Sequence, residues 1–151
     1  MLMVQCNLAS SYQILRRLEE AKRMQRDVYS GWLKLHGEES IEAAGAAFNY
    51  ANTLFAMQRF EEAKAVLRKM TPVARRVLGE GHELLLRMRW RYAESLRDDP
   101  AATLDDLREA VETYEDAGRT ARLVLGGAHP VTVGIETDVQ DARSKLDARE
   151  A

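Results

Sequence analysis

A single cysteine, Cys6, stands in the 151 residues, which excludes an intramolecular disulfide and a thiolate zinc cluster. Prolines number three and glycines nine, so obligatory chain breaks are few, while Ala, Leu, Glu and Arg are abundant. That mix favours helix. Charge of one sign is also missing. The 22 basic and 24 acidic side chains leave a net charge of −2, without the basic excess that nucleic-acid binders carry. No apolar run approaches the roughly 20 residues that span a bilayer. No basic segment leads into a long apolar core, as a secretory signal would. These absences set four expectations: a reducing cytoplasmic setting, no nucleic-acid partner, no membrane partner and no cofactor.

What is present is enough for one domain. The chain is 46% hydrophobic and 30% charged, too apolar for disorder. At this length about two thirds of the unfolded surface can be buried.

The main signal is internal repetition. Displacing the chain by 42 residues pairs Asn7 with Asn49, Ala9 with Ala51 and Arg17 with Arg59. It also pairs Glu19-Glu20-Ala21-Lys22 with Glu61-Glu62-Ala63-Lys64, Arg26 with Arg68, and Gly37-Glu38 with Gly79-Glu80. Those 10 identities compare with a chance level of roughly two or three. A more diverged third copy follows, with Trp90-Arg91-Tyr92-Ala93, Leu104-Asp105-Asp106-Leu107 and Leu125-Gly126 with His129. After it, Ile135, Val139, Ala142 and Leu146 recur at helical spacing and predict a closing helix.

Within each unit, apolar residues at steps of three and four predict two helices separated by a polar corner, Arg16-Arg17 in the first unit and Gln58-Arg59 in the second. Asp98-Asp99-Pro100 breaks the third unit, where Thr103 and Asp106 resemble a capping box. Gly37, Gly79 and Gly126 are expected to close the second helices. Pro72 predicts a kink, or a break with Thr71 capping a new turn. The repeats are placed at about 1–40, 41–82 and 83–129, with the closing helix at about 131–148.

Asn7-Leu8-Ala9-Ser10-Ser11-Tyr12 with Arg17-Leu18-Glu19-Glu20-Ala21, and Leu125-Gly126-Gly127-Ala128-His129-Pro130, resemble the opening and the linker of tetratricopeptide repeats. The period is similar to the 42-residue variety of kinesin light chains, although the heptads of those proteins are absent. The first linker, Gly37-Glu38-Glu39-Ser40, lacks the His or Pro of the pattern, and Leu107 replaces a small alanine, which implies looser packing. The resemblance implies an all-α, right-handed α-α superhelix of about three helix-turn-helix repeats plus the closing helix. It also implies a protein-interaction scaffold rather than an enzyme.

First helices line the concave face in that family. The resemblance therefore implies a partner-binding surface of Asn7, Ser10, Asn49, Asn52, Arg87, Arg91 and Glu94. The asparagines suit a peptide backbone and the arginines suit a carboxylate. Helical asparagines can also serve only as caps, and Arg87 and Arg91 can be an ordinary solvated stripe. Phe48 and Trp90 read as packing between units.

No catalytic or metal site is expected. His82 and His129 fall in equivalent linkers a helix-packing distance apart, too far to share an ion. The recurring acidic pairs open helices, where negative charge suits the macrodipole. Gly126-Gly127 lacks the lysine of a phosphate loop. Cys6 on an apolar face reads as a small core residue. The competing function is a structural one: an oligomerisation module, or part of a longer repeat array, self-associating through end helices that expose Leu2, Val4 and Leu8.

Overall fold

A computed structural model describes the chain from residue 2 and its side chains from residue 14. Among the described residues it is entirely helical, the class expected. The six helices are α1 (Leu2–His36), α2 (Ile41–Ala56), α3 (Phe60–Leu78), α4 (Glu83–Asp98), α5 (Leu104–Leu125) and α6 (Pro130–Glu150). Each packs on the next in chain order. In addition α2 touches α4 and α4 touches α6, whereas α3 and α5 do not meet. The layer α2–α4–α6 is therefore the tightly curved inner one, and α3 and α5 lie on the splayed outer side.

Close approach of the inner helices follows from residue size. On α2, Ala43, Ala44, Ala46, Ala47 and Ala51 are all buried, so over much of its length only methyl groups separate its backbone from its neighbours. A second core gathers Leu86, Leu96, Tyr114, Ile135 and Val139 from α4, α5 and α6. Leu107 is fully buried, so the larger side chain is accommodated inside the third hairpin.

The helix ends carry their own signals. Ser40 caps α2 through Ala43 N at 3.1 Å, and Thr103 with Asp106 forms a reciprocal capping box on α5. Gly37, Gly79 and Gly126 take φ of +74°, +90° and +90°, the left-handed region that glycine enters without strain. The linker histidines are N-caps. His82 Nδ1 accepts from Leu84 N at 3.0 Å, and His129 Nδ1 accepts from Val131 N at 3.1 Å. His129 Nε2 also reaches Glu83 at 3.2 Å, tying the start of α6 to the start of α4.

One local expectation is corrected. The corner expected at Arg16-Arg17 does not form, and α1 runs through it as one helix of 35 residues. In the second unit the turn requires Gln58 at φ +60°, a conformation costing an L-residue about 1–2 kcal/mol. Arg59 N bonding Leu54 O at 2.9 Å and the burial of α2 offset that cost. Ile14-Leu15-Arg16-Arg17-Leu18 contains good helix formers and no breaker, and among the described residues α1 packs on α2 only. Nothing there opposes continuation.

Pro72 likewise does not break its helix: α3 continues through it, and the Thr71 hydroxyl has no hydrogen-bond partner, so it is not a cap. An interior proline costs on the order of 3 kcal/mol. Leu67 and Met70 before it, and Val73 and Ala74 after it, are all sunk in one core. Each large side chain among them contributes about 1.5–3 kcal/mol, enough to hold the helix across the lesion.

Candidate partner-binding face

The residues expected to bind come from two adjacent inner helices. Asn49 and Asn52 lie on α2 three residues apart. Arg87, Arg91 and Glu94 follow the i, i+4, i+7 stripe of α4, so they share one side of it. Asn7 and Ser10 belong to α1, but their side chains lie outside the described residues, as does that of Cys6.

The structure sorts the remaining five into two kinds. Asn52, Arg91 and Glu94 are joined. Arg91 Nε donates to Asn52 Oδ1 at 2.8 Å, Nη1 pairs with Glu94 Oε2 at 2.7 Å, and the guanidinium lies 4.4 Å over the Phe55 ring. This arrangement fixes the guanidinium and offsets its charge. Asn49 and Arg87 are exposed and nearly unengaged. Asn49 makes no side-chain hydrogen bond among the described residues, and Arg87 meets only Glu83 of its own helix, at 3.5 Å. Between these groups lies a cleft of about 120 Å³ lined by Phe48, Arg87, Trp90, Arg91 and Glu94.

Trp90 does more than fill space between units. Its indole N–H donates to Asp138 Oδ2 of α6 at 2.7 Å. Asp138 also faces Arg97 at 3.3 Å, and Arg97 pairs with Asp98 at 2.7 Å. Phe55, Asp138 and Arg97 support the face, yet residue type and spacing do not single them out. The only trace is a tryptophan whose N–H needs a partner once buried.

Glu94 is electrostatically unusual. Burial pushes its carboxyl up to about 7, with the neighbouring Asp138 acting in the same direction and Arg91 and Arg97 opposing. The 2.7 Å ion pair does not win because the carboxylate has lost most of its water. Between pH 4.5 and 7 the unfolded chain ionises this group while the folded chain keeps its proton. Stability from this site is therefore complete below pH 4.5 and lost as pH rises to 7. Glu94→Gln should flatten that step, making the variant about 2 kcal/mol more stable relative to wild type at pH 8 than at pH 4. Urea melts at the two pH values measure this, and parallel profiles for the two proteins would refute it.

Residues 1–71 match the family model described as tetratricopeptide repeat. That part of the chain is similar to tetratricopeptide repeats. The match runs from α1 to Thr71 of α3, and the same alternation of inner and outer helices continues through α4, α5 and α6. Comparison with curated proteins and with solved structures gives no match. Tetratricopeptide repeats generally serve protein–protein interaction, and no described helix is long and apolar enough to cross a membrane. A larger cleft of about 360 Å³ lies between α5 and α6. Its charged groups are already matched, as Arg122–Glu136 at 2.8 Å and Arg143–Glu115 at 2.6 Å, so it offers a ligand less than the inner face does.

Proposed function

We propose that the whole chain is one tetratricopeptide-type domain of the kinesin-light-chain-like, 42-residue variety, which holds an extended segment of another protein across α2 and α4. The observation that carries this reading is the pairing of two exposed polar groups, Asn49 and the loosely held Arg87, with an aromatic-rimmed cleft on the inner layer. The Asn49 amide can donate to and accept from a peptide backbone, fixing an extended strand. Arg87 supplies an exposed positive charge that is only loosely paired with Glu83, so the segment carries a carboxylate near it. Arg91 acts as a preset wall held by Asn52, Glu94 and Phe55 rather than as the charge that recognises the ligand.

Catalysis has no place in this scheme. Glu94 is the described carboxylate raised furthest, but its neighbours are arginines and Asp138, with no nucleophile beside it.

The test compares capture of binding proteins from a cell extract by wild type and by Asn49→Ala/Arg87→Glu, followed by titration of the retained protein. Both sites are exposed, so melting should change by under about 0.5 kcal/mol. Affinity should fall at least about tenfold, the effect of losing a charge contact and a bidentate amide. Undiminished binding by the double variant would move the site off the inner face.

A further inference from the structure

Because α1 runs unbroken through the expected corner, it carries an apolar stripe that no other described residue covers. Ala21, Met24, Val28, Gly31 and Leu35 recur at steps of three, four, three and four, the spacing of a helix–helix seam. Met24 is 68%, Val28 51% and Leu35 75% exposed. A Cβ placed on Gly31 would meet nothing within 4 Å. The face of α1 that packs on α2 is a different one, carrying Tyr29, Trp32 and Leu33.

The internal repeat shows that this stripe is built to be covered. Its counterparts one period later, on α3, are Ala63, Val66, Met70, Val73 and Val77. Ala63 and Met70 are fully buried, Val73 nearly so, and Val66 and Val77 pack against the same core. On α3 these positions lie inside the hairpin that the Gln58 corner closes. On α1 the corner is absent, and the residues before it continue away along the helix axis, so they cannot fold back onto Met24 and Val28.

We infer that the stripe pairs with the same stripe of a second copy of this chain, in an antiparallel two-fold arrangement. The run from Ala21 to Gly31 is self-complementary in that direction, with Leu35 at the end of the seam. Setting Met24 against Val28 of the second copy brings Val28 against its Met24, and Ala21 against its Gly31. The large residues then meet at the centre, and the small ones on either side let the backbones approach. Charge agrees with this register. Glu20 and Lys34 each precede an end residue of the stripe, and reversal of direction places Glu20 of each copy beside Lys34 of the other. Glu20 is exposed and, among the described residues, meets only Arg16, at 3.5 Å. A seam of this length is small, so the dimer is weak, with a dissociation constant on the order of micromolar. The pairing is independent of the inner face, which lies on α2 and α4.

Sedimentation equilibrium from about 1 to 100 µM tests it, a range that spans the expected dissociation constant. Wild type should pass from monomer to dimer, and Val28→Glu should remain monomeric with an unchanged helical spectrum and melt. Glu20→Lys should weaken the dimer about fivefold by facing Lys34 of the other copy, and Glu20→Lys/Lys34→Glu should restore it. A monomeric wild type at the top concentration, or a Val28→Glu protein that still dimerises, overturns the proposal. Loss of melting temperature in Val28→Glu without any change in mass would show the stripe covered from within one chain, and would overturn it equally. Failure of the charge-reversed double variant to recover would overturn the antiparallel register.

Discussion

Gly134→Ala should destabilise the protein by about 2–3 kcal/mol, although the same change in an exposed helix stabilises by about 1 kcal/mol. Gly134 lies inside α6, where glycine is otherwise a poor choice. A Cβ built there falls on Cζ2 and Cη2 of the Trp90 ring. The ring cannot swing aside freely, because its N–H is held by Asp138 at 2.7 Å one turn further along the same helix. The alanine must therefore push α6 outward or break the indole hydrogen bond. For a domain of this size the expected loss is roughly 5–10 °C in melting temperature. Trp90→Phe in the same background should recover most of it by removing the ring that clashes. An unchanged or raised melting temperature in Gly134→Ala would mean that Trp90 does not lie over α6 in this way. The inner face depends on this contact, since Trp90 forms part of the cleft wall.

Arg97→Ala should cost more, about 3–5 kcal/mol at neutral pH, because it removes one partner from a buried ionic cluster. Arg97 is 9% exposed and answers three carboxylates, Asp98 at 2.7 Å, Asp138 at 3.3 Å and Asp141 at 3.5 Å, while lying 5.7 Å from the centre of the Tyr114 ring. Without it, Asp138 and Glu94 face one another with only Arg91 to compensate. The sign of the pH effect follows. Carboxylates left without their cation take up protons more readily, so the deficit should shrink as pH falls toward 4. Chemical denaturation of wild type and variant at pH 4 and pH 7.5 measures it. A deficit that stays constant or grows in acid would remove Arg97 from the electrostatic account and leave it a packing residue.

The legibility of the fold varied with the kind of signal. Period and helix ends were plain, because Gly79, Gly126 and the Thr103–Asp106 box act within a few residues of chain and need no distant partner. The first corner was misread because Arg16-Arg17 matches Gln58-Arg59 in position but not in cause. The turn at Gln58 is imposed by helices packed on both sides of α2, a tertiary effect absent from the matching letters. At Pro72 the break, one of the two outcomes expected, is absent for the complementary reason, since core burial on both sides of it outweighs a local penalty. On the inner face, helical register sufficed to bring Asn52, Arg91 and Glu94 into contact range across α2 and α4. It could not tell which arginine is the more loosely held, because that depends on Phe55 and Glu94 capturing Arg91. The roles of Gly134 and Asp138 needed the position of α6 against α4, which no periodicity encodes.

The central claim is that a partner lies along the inner layer, and site-specific photo-crosslinking tests it most directly. A photoreactive residue replaces Asn49 on the inner helix α2 in one protein, and Arg119 on the outer helix α5 in another. Both positions are exposed, so neither substitution should disturb the fold. With the captured partner present, the account predicts an adduct from position 49, suppressed by Arg87→Glu, and none from position 119. An adduct from position 119 with none from position 49 would place the partner on the outer side and contradict it.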